Sequence, residues 1–335
     1  MKRIRRFVVR SLLSRITLLM LWGYSVLRGR PVICLTARHG QLGNRLFLGA
    51  HLIATAMQNR LEVLNLSFSD YAALLETSHQ DAFCRFPHRR TPSLRRLDGF
   101  RDRCLRWVDA AGALIPTNKA TGAFLHYQLG DPEEIFDCNS PSFRRAVTQA
   151  RVIFMRGWSY RNYAELATHA PAVRQHLRPR ADILDRCQTF AAKFRHGIDV
   201  LIGVHIRQGD YRTAWGGGLF FETQQYVAWM RLLQSQFPNQ RVGFFIASNE
   251  VQRPESFDGL NCHQLPAEAI PSRQEALGYD MTLLSLCDYI LAPPSTFSGW
   301  ASFINQVPIH FIRTSGDTID RRDFRVCQLN ECHGW

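Results

Sequence analysis

The chain has 335 residues, a length that suggests two domains of ordinary size. A composition of 46% hydrophobic and 21% charged residues can build a large core and excludes a disordered chain, a collagen-like chain and a polytopic membrane protein. The formal net charge is +13, and residues 1–30 contain eight basic residues and no acidic one. The basic excess is therefore concentrated at the N-terminus.

The N-terminal segment is basic but too short in apolar residues to be an obvious span. Its longest uncharged run covers residues 16–27, whereas a membrane span needs about 20 apolar residues. Extension back to Phe7 includes Arg10 and Arg15, which are costly inside a bilayer. We predict that residues 1–30 form a basic helix lying on an anionic membrane surface. The alternatives are a single signal-anchor span and a helix packed on the fold.

The first half of the chain begins with the pattern of a βαβ unit. Residues 32–37 predict a buried strand, residues 40–43 a glycine loop, residues 44–59 an apolar helix and residues 63–66 a second strand. Further on, residues 152–155 predict a strand and residues 181–196 a helix that ends at Gly197. We place a domain boundary there, which defines an N-terminal domain over 31–196.

The second half alternates more regularly between strands and helices. Strands are predicted at 200–207, 242–247, 289–292 and 307–312, with helices at 221–237, 272–288 and 296–305. This alternation predicts a second parallel sheet over 197–315, followed by a tail over 316–335. The predicted class is α/β, with two Rossmann-like domains facing a cleft toward which strand C-termini and helix N-termini point.

Cysteines and arginines are the two remaining compositional signals. Nine cysteines are scattered without a C-x-x-C pair, and Cys327, Cys332 and His333 form the one cluster with ligand chemistry. We expect free thiols there, with a metal ion or a disulfide near the C-terminus as alternatives. Residues 85–106 contain eight arginines, which indicate either a solvated face or contact with an anionic polymer or lipid. Without a docking module, we expect no nucleic-acid partner.

Four short stretches lie where α/β folds bind their ligands. The first, GQLGNRLF at 40–47, is a glycine turn that opens a helix. Its amides suit a phosphate or a sugar hydroxyl, although a plain tight turn has the same pattern. The glycine spacing matches neither a dinucleotide-binding motif nor a P-loop.

The second stretch, HIRQGDY at 205–211, is the most specific. His205 and Arg207 are two residues apart on a strand and therefore share one face. An arginine can hold a pyrophosphate with a bidentate fork and stabilise its charge as it leaves. The alternative is a purely structural pair between Arg207 and Asp210.

The third and fourth stretches lie further along the chain. Asp280 falls on the cleft-side end of a predicted helix and can accept two N–H groups from a guanine edge, or can simply be solvated. In PPSTFS at 293–298, hydroxyls and amides at a helix start form either a phosphate site or an ordinary N-cap. No D-x-D pair follows the strands of this half, so arginine and helix amides must take the pyrophosphate charge.

In order and spacing, the four stretches resemble GDP-fucose-dependent α-1,2-fucosyltransferases of glycosyltransferase family 11, which are related to the α-1,6 and protein O-fucosyltransferases. The matching segments are GQLGNRLF, HIRQGDY, FFIASNE at 244–250, and the run from Asp280 to Trp300. They lie as islands over residues 33–312. Gln208 stands where the family has a second arginine, Arg45 replaces a glutamine, and Gly299 replaces a tryptophan.

The resemblance implies a GT-B fold whose C-terminal half binds GDP-fucose and whose N-terminal half shapes the acceptor side. It implies an inverting, metal-independent transfer without a cofactor, most simply an α-1,2 transfer to galactose in a surface polysaccharide. The resemblance assigns catalytic roles to Arg207, which stabilises the leaving group, and to His205, which contacts guanine or ribose. The donor-binding residues that it implies are Gly43, Asn44, His205, Arg207, Asp210, Asp280, Ser295, Thr296 and Phe297.

Two other functions keep the same scaffold: a transferase for a different GDP-sugar, and a non-catalytic glycan- or nucleotide-binding protein. The expected partners are GDP-fucose, a glycan or lipid-linked oligosaccharide acceptor, and a membrane surface reached through residues 1–30. We expect the cytoplasmic face of a bacterial inner membrane, with a Golgi type II anchor as the alternative location.

Overall fold

The computed structural model describes residues 2–91, 98–130, 134–266 and 272–330. The chain divides into two compact units, Met1–Arg180 and Ala181–Trp335. The boundary predicted at 196/197 lies one helix further along the chain. The difference arises because the helix Ala181–Phe194 packs against the helix Arg273–Leu284 of the second unit.

The first unit is a sheet covered by helices. Its helices are α1 (Lys2–Arg28), α2 (Leu42–Asn59), α3 (Glu76–His79), α4 (Asp98–Gly112), α5 (Pro141–Gln149) and α6 (Tyr163–His176). Its strands are β1 (Val32–Leu35), β2 (Glu62–Leu64), β3 (Arg85–Phe86), β4 (Ala120–Thr121), β5 (Phe124–Gln128), β6 (Phe136–Asp137), β7 (Val152–Arg156) and β8 (Tyr160–Arg161).

The sheet of the first unit has the order β3-β2-β1-β7-β5-β4. The β1 strand lies at its centre and pairs in parallel with β2 and β7, while the edge strands β3 and β4 pair antiparallel. All four β1 side chains are buried, as expected for a parallel strand covered on both faces. The predicted βαβ opening is confirmed, and the helix begins two residues earlier than expected.

Helix α1 packs on the fold through its C-terminal half. Leu21 is buried in a cluster with residues of α4, β1 and β2, and Leu18 and Tyr24 pack against that cluster. The Tyr24 hydroxyl donates to Glu62 at 2.6 Å, and Arg28 pairs with the same buried carboxylate at 2.8 Å. Among the described residues, no helix is both long enough and apolar enough to cross a bilayer. The C-terminal half of α1 is therefore a helix packed on the fold, which was one of the alternatives for residues 1–30. Contact of this segment with a membrane stays a prediction.

The second unit contains four helices and six strands within the described residues. The helices are α7 (Ala181–Phe194), α8 (Thr223–Ser235), α9 (Arg273–Leu284) and α10 (Thr296–Asn305). The strands are β9 (Val200–Ile206), β10 (Val242–Ser248), β11 (Cys262–His263), β12 (Tyr289–Ala292), β13 (Pro308–Phe311) and β14 (Arg325–Val326).

The sheet of the second unit has the order β11-β10-β9-β12-β13-β14. This is the 3-2-1-4-5-6 order of a Rossmann fold, so the predicted class is confirmed. The central β9 strand is buried at every residue. Residues predicted as a C-terminal tail instead supply β14, which pairs antiparallel with β13. This edge strand was missed because it has only two residues.

The described residues contain eight of the nine cysteines, and no disulfide joins any of them. Seven of these eight side chains are buried, as small core residues are. Cys332 and His333, which belonged to the candidate C-terminal cluster, lie outside the described residues. Within the described part of the chain, no three His, Cys, Asp or Glu side chains are grouped closely enough to hold a metal ion.

Candidate functional site

The second unit has a topological switch point beside its central strand. The chain crosses from β9 to β10 on one side and reaches β12 on the other. Because β9, β10 and β12 are parallel, their carboxyl ends meet at one edge, where open α/β sheets bind ligands. These strand ends carry HIRQGDY, SNE and PPSTFS, which belong to three of the segments that match the family pattern.

Arg207 lies just after β9 and presents a guanidinium held in place on one side. Its Nε and Nη2 atoms each lie 2.9 Å from a carboxylate oxygen of Asp210. Its guanidinium carbon lies 5.6 Å from the ring centre of Tyr211, whose hydroxyl donates to the Pro294 carbonyl at 2.7 Å. The Asp210 side chain is 55% exposed, so the pair is weak and an anion can compete for the arginine fork.

His205 lies on the same strand face and is buried. Its ring centre is 5.0 Å from that of Phe297, and its Nδ1 atom has no hydrogen-bond partner among the described residues. Burial, with the charge of Arg207, lowers the pKa of His205 to about 3. The ring is therefore neutral at physiological pH, which suits a hydrogen-bonding contact better than a proton-transfer role.

Ser295 caps the N-terminus of α10 at this edge. Its hydroxyl accepts from the Phe297 amide at 3.2 Å, and Ser298 donates to the Ser295 carbonyl at 3.3 Å. Thr296 is the first residue of the helix. The helix dipole favours an anion at this position. Ser295 is thus the N-cap that the sequence offered as one alternative, while a phosphate site at the same helix start stays a prediction.

Asp280 lies on α9, one turn before Leu284. A Cβ atom built at Gly203 of β9 would lie 2.7 Å from Leu284 Cδ2, so this glycine permits α9 to approach the strand closely. Asp280 accepts no hydrogen bond from the described residues, and burial raises the pKa of its carboxyl to about 7. A poorly solvated carboxylate that receives no hydrogen bond from the protein can accept two N–H groups from the edge of a ligand such as guanine.

The loop after β9 is held by residues that sequence reasoning did not place. Gln208 is buried, donates to the Phe221 carbonyl at 3.0 Å and accepts from Gln252 at 3.0 Å. The backbone N–H of Gln208 donates to the side-chain oxygen of Asn249 at 2.9 Å. The residue in the position of the family's second arginine therefore points into the interior. Tyr211 was also missed as a contact of Arg207, although it lies within the HIRQGDY motif.

Gly43 and Asn44 belong to the first unit, in the first turn of α2. Gly40 before them has φ +62°, and a Cβ atom there would collide with the Asn44 side chain, so this turn requires glycine. Arg45 is buried, pairs with Asp70 at 2.6 Å and donates to the Ser67 carbonyl at 2.8 Å. The arginine that departs from the family pattern thus stabilises the turn from within.

No protein-family model matches this chain, and no curated protein matches it. Solved structures do resemble it. A mutant of Arabidopsis thaliana FUT1 in complex with GDP aligns with a TM-score of 0.56 and 12% identity, covering 88% of this chain and 74% of its own. POFUT1 in complex with GDP aligns with a TM-score of 0.53 and 11% identity, covering 84% and 99%.

A third similar structure is the α-1,6-fucosyltransferase NodZ co-crystallised with GDP. It aligns with a TM-score of 0.50 and 18% identity over 87% of this chain and 99% of its own. At these identities the likeness concerns the fold, and it confirms the predicted α/β fold of the GT-B fucosyltransferase type.

Proposed function

We propose that this protein transfers L-fucose from GDP-fucose to a hydroxyl of a glycan, with inversion and without a metal ion. The observation that carries the proposal is Arg207 at the switch point of the second unit, within a HIRQGDY motif, in a fold shared with proteins whose structures contain GDP. Asp280 supports it as an unpaired carboxylate available to a guanine edge.

The proposed reaction needs positive charge at the leaving group. A bond forms between the acceptor oxygen and the anomeric carbon of fucose, the hydroxyl proton is lost to a base, and the bond to the β-phosphate breaks with its electron pair left on GDP. Arg207 and the first amides of α10 would stabilise that charge. His205, neutral because its pKa is about 3, would bind the nucleotide through its unpaired Nδ1.

The proposed acceptor is supported by the sequence motifs shared with family 11. The family 11 resemblance favours an α-1,2 linkage to galactose in a surface polysaccharide or a lipid-linked oligosaccharide. A net basic segment over residues 1–30 supports work at the cytoplasmic face of a bacterial membrane, where anionic lipids attract it.

Calorimetric titration of the full chain with GDP-fucose, GDP-mannose and UDP-galactose in EDTA tests the donor. We expect GDP-fucose to bind, and Arg207→Ala to weaken binding by about 10- to 100-fold, because charged hydrogen bonds to the pyrophosphate are lost. Arg212→Ala is the matched control, since Arg212 is an exposed arginine of the same loop and pairs with Glu250 at 3.0 Å.

Three outcomes would count against the proposal. Preferential binding of GDP-mannose would point to another GDP-sugar. Equal losses of GDP-fucose affinity in the Arg207→Ala and Arg212→Ala variants would mean that Arg207 acts only through the overall positive charge of the loop. GDP-fucose binding without transfer to any galactoside, with and without Mg²⁺, would favour a non-catalytic protein.

A further inference from the structure

The first unit contains an apolar cavity of about 330 Å³ between α1 and α4. Thr17, Met20, Leu21 and Tyr24 of α1 form one wall, at the i, i+3, i+4 and i+7 positions of one helix face. The opposite wall comes from α4, and Leu64 and Leu66 belong to the floor. The volume is roughly twice that of an engineered apolar cavity of about 150 Å³ that binds benzene.

The few polar groups in the wall already have protein partners. The Tyr24 hydroxyl donates to Glu62 at 2.6 Å, the Thr17 hydroxyl donates to the Leu13 carbonyl at 2.9 Å, and Arg85 pairs with Asp81 at 2.9 Å. Water in a cavity needs two or more polar partners. Because the donors of these groups are already engaged and the rest of the lining is apolar, the cavity favours a hydrocarbon occupant over water.

The cavity opens onto an exposed apolar surface. Met20 and Trp107 belong to the wall but are 69% and 41% exposed, so they mark its mouth. Leu19 and Leu27 continue the apolar surface along α1, at 67% and 86% exposed. A hydrocarbon chain can therefore enter from a membrane surface along apolar side chains.

Helix α4 carries positive charge close to the lining residues Cys104 and Trp107. Arg103 lies one turn before Trp107, Arg106 lies directly before it, and both are exposed. The acidic residues of α4 at 102 and 109 are bound to Arg38 and Arg156 instead. The apolar mouth therefore lies on the same helix as two exposed arginines, an arrangement complementary to an anionic lipid headgroup above its acyl chain.

We infer that this cavity binds one acyl chain of an anionic phospholipid, with the headgroup phosphate held at Arg103 and Arg106. The site lies in the first unit and does not depend on the donor site of the second. It deepens the proposed membrane contact of residues 1–30, because a lipid drawn into the cavity would stay bound to the chain after salt has screened the electrostatic attraction to the membrane.

The test mixes the full chain with phosphatidylcholine vesicles, with or without phosphatidylglycerol, and separates protein from vesicles in high salt. Flotation before the salt step reports membrane contact, and native mass spectrometry after it reports retained lipid, because salt screens surface charge but not a buried chain. We expect one retained phosphatidylglycerol per chain and little phosphatidylcholine.

Two variants fill the cavity from opposite sides. Thr17→Trp acts from α1, Cys104→Leu acts from α4, and melting curves check that each is folded. Both are expected to lower lipid retention by at least about tenfold and to leave GDP-fucose binding unchanged. Gly23→Trp is the matched control, since it adds the same side chain to α1 at a position where a Cβ atom meets nothing within 4 Å.

The outcomes separate the two proposals. Flotation without retained lipid in the wild-type protein would overturn the cavity site and leave the membrane contact standing. Equal retention of both lipids would overturn the role of Arg103 and Arg106. Full retention by folded Thr17→Trp and Cys104→Leu would also overturn the cavity site, whereas absence of GDP-fucose binding would count only against the transferase.

Discussion

At the residue scale, Asp280 links the proposed donor site to a measurable pH dependence. Burial raises the pKa of its carboxyl to about 7, against about 3.9 in an unfolded chain. The folded protein thus holds this proton more tightly than the unfolded one. The contribution of Asp280 to stability is fully present below about pH 4 and is lost as the pH rises through 7. Guanine recognition needs the ionised form, so donor affinity should move in the opposite direction.

Asp280→Asn should remove both trends. We expect the free energy of unfolding of the wild-type protein, relative to the variant, to fall between about pH 5 and about pH 8. Over the same range, the wild-type affinity for GDP should rise several-fold, while the variant binds weakly at every pH. Denaturant titrations and calorimetry measure the two quantities. His205, with a pKa of about 3, does not titrate in this range.

Asp185→Asn is the control for this experiment, because Asp185 is an exposed carboxylate of α7. It should leave both pH profiles of the wild-type protein unchanged. Identical profiles for wild type and Asp280→Asn would show that Asp280 does not cause the pH dependence of stability and does not bind the guanine base.

Sequence reasoning at this scale succeeded where the signal was local. The i, i+2 spacing of His205 and Arg207 predicts a shared strand face, and the structure places His205 against Phe297. The role of Gln208 could not be predicted, because its partners Phe221 and Gln252 lie 13 and 44 residues away. A polar residue in a site motif looks the same in sequence whether it points toward a ligand or into the core.

At the scale of elements, the strands and helices around the candidate site follow strong local patterns. The predicted bounds of β12 and α10 match the structure, because a buried apolar run and a serine N-cap are both readable from a few residues. The two-residue strands β3, β4, β6, β8, β11 and β14 were missed, because two residues carry no periodicity. The position of α7 in the second unit was missed because it depends on tertiary packing.

Ser295 and Ser272 allow the cap of α10 to be separated from its proposed anion site. Each is the N-cap of its helix and accepts a backbone N–H at 3.2 Å. Ser295→Ala and Ser272→Ala should each cost about 1 kcal/mol of stability. Only Ser295→Ala should also weaken GDP-fucose binding, by a few-fold, because α10 alone begins at the switch point. Equal binding losses, or none, would remove the N-terminus of α10 from the donor site.

At the scale of the whole molecule, each unit has its own sheet and core. Helix α1 contributes to the core of the first unit, since Leu21 is buried and Glu62 is fully buried between Tyr24 and Arg28. Sequence reasoning favoured the membrane surface because the segment is basic and its uncharged run, residues 16–27, is too short to span a bilayer. The contact with Glu62 could not be predicted from the sequence, because Glu62 lies 34 residues beyond Arg28.

Removal of residues 1–30 should therefore destabilise the first unit selectively. The deletion removes both side-chain partners of Glu62, and loss of a buried ionic partner costs about 3 kcal/mol or more. The deletion also removes Leu21 from its apolar cluster, which lowers the stability of the first unit further. We expect thermal unfolding of the first unit to shift to lower temperature, while GDP-fucose still binds the second unit.

A second substitution makes the cause of this loss testable. In the chain lacking residues 1–30, Glu62→Leu removes the unpaired carboxylate and keeps an apolar side chain of similar volume. It should therefore recover part of the lost stability, whereas in the full chain it should destabilise, because it leaves the hydroxyl of Tyr24 without its acceptor. Scanning calorimetry of the four proteins measures this sign reversal. The same sign in both backgrounds would mean that Glu62 does not couple α1 to the sheet, and that the helix is held by apolar packing alone.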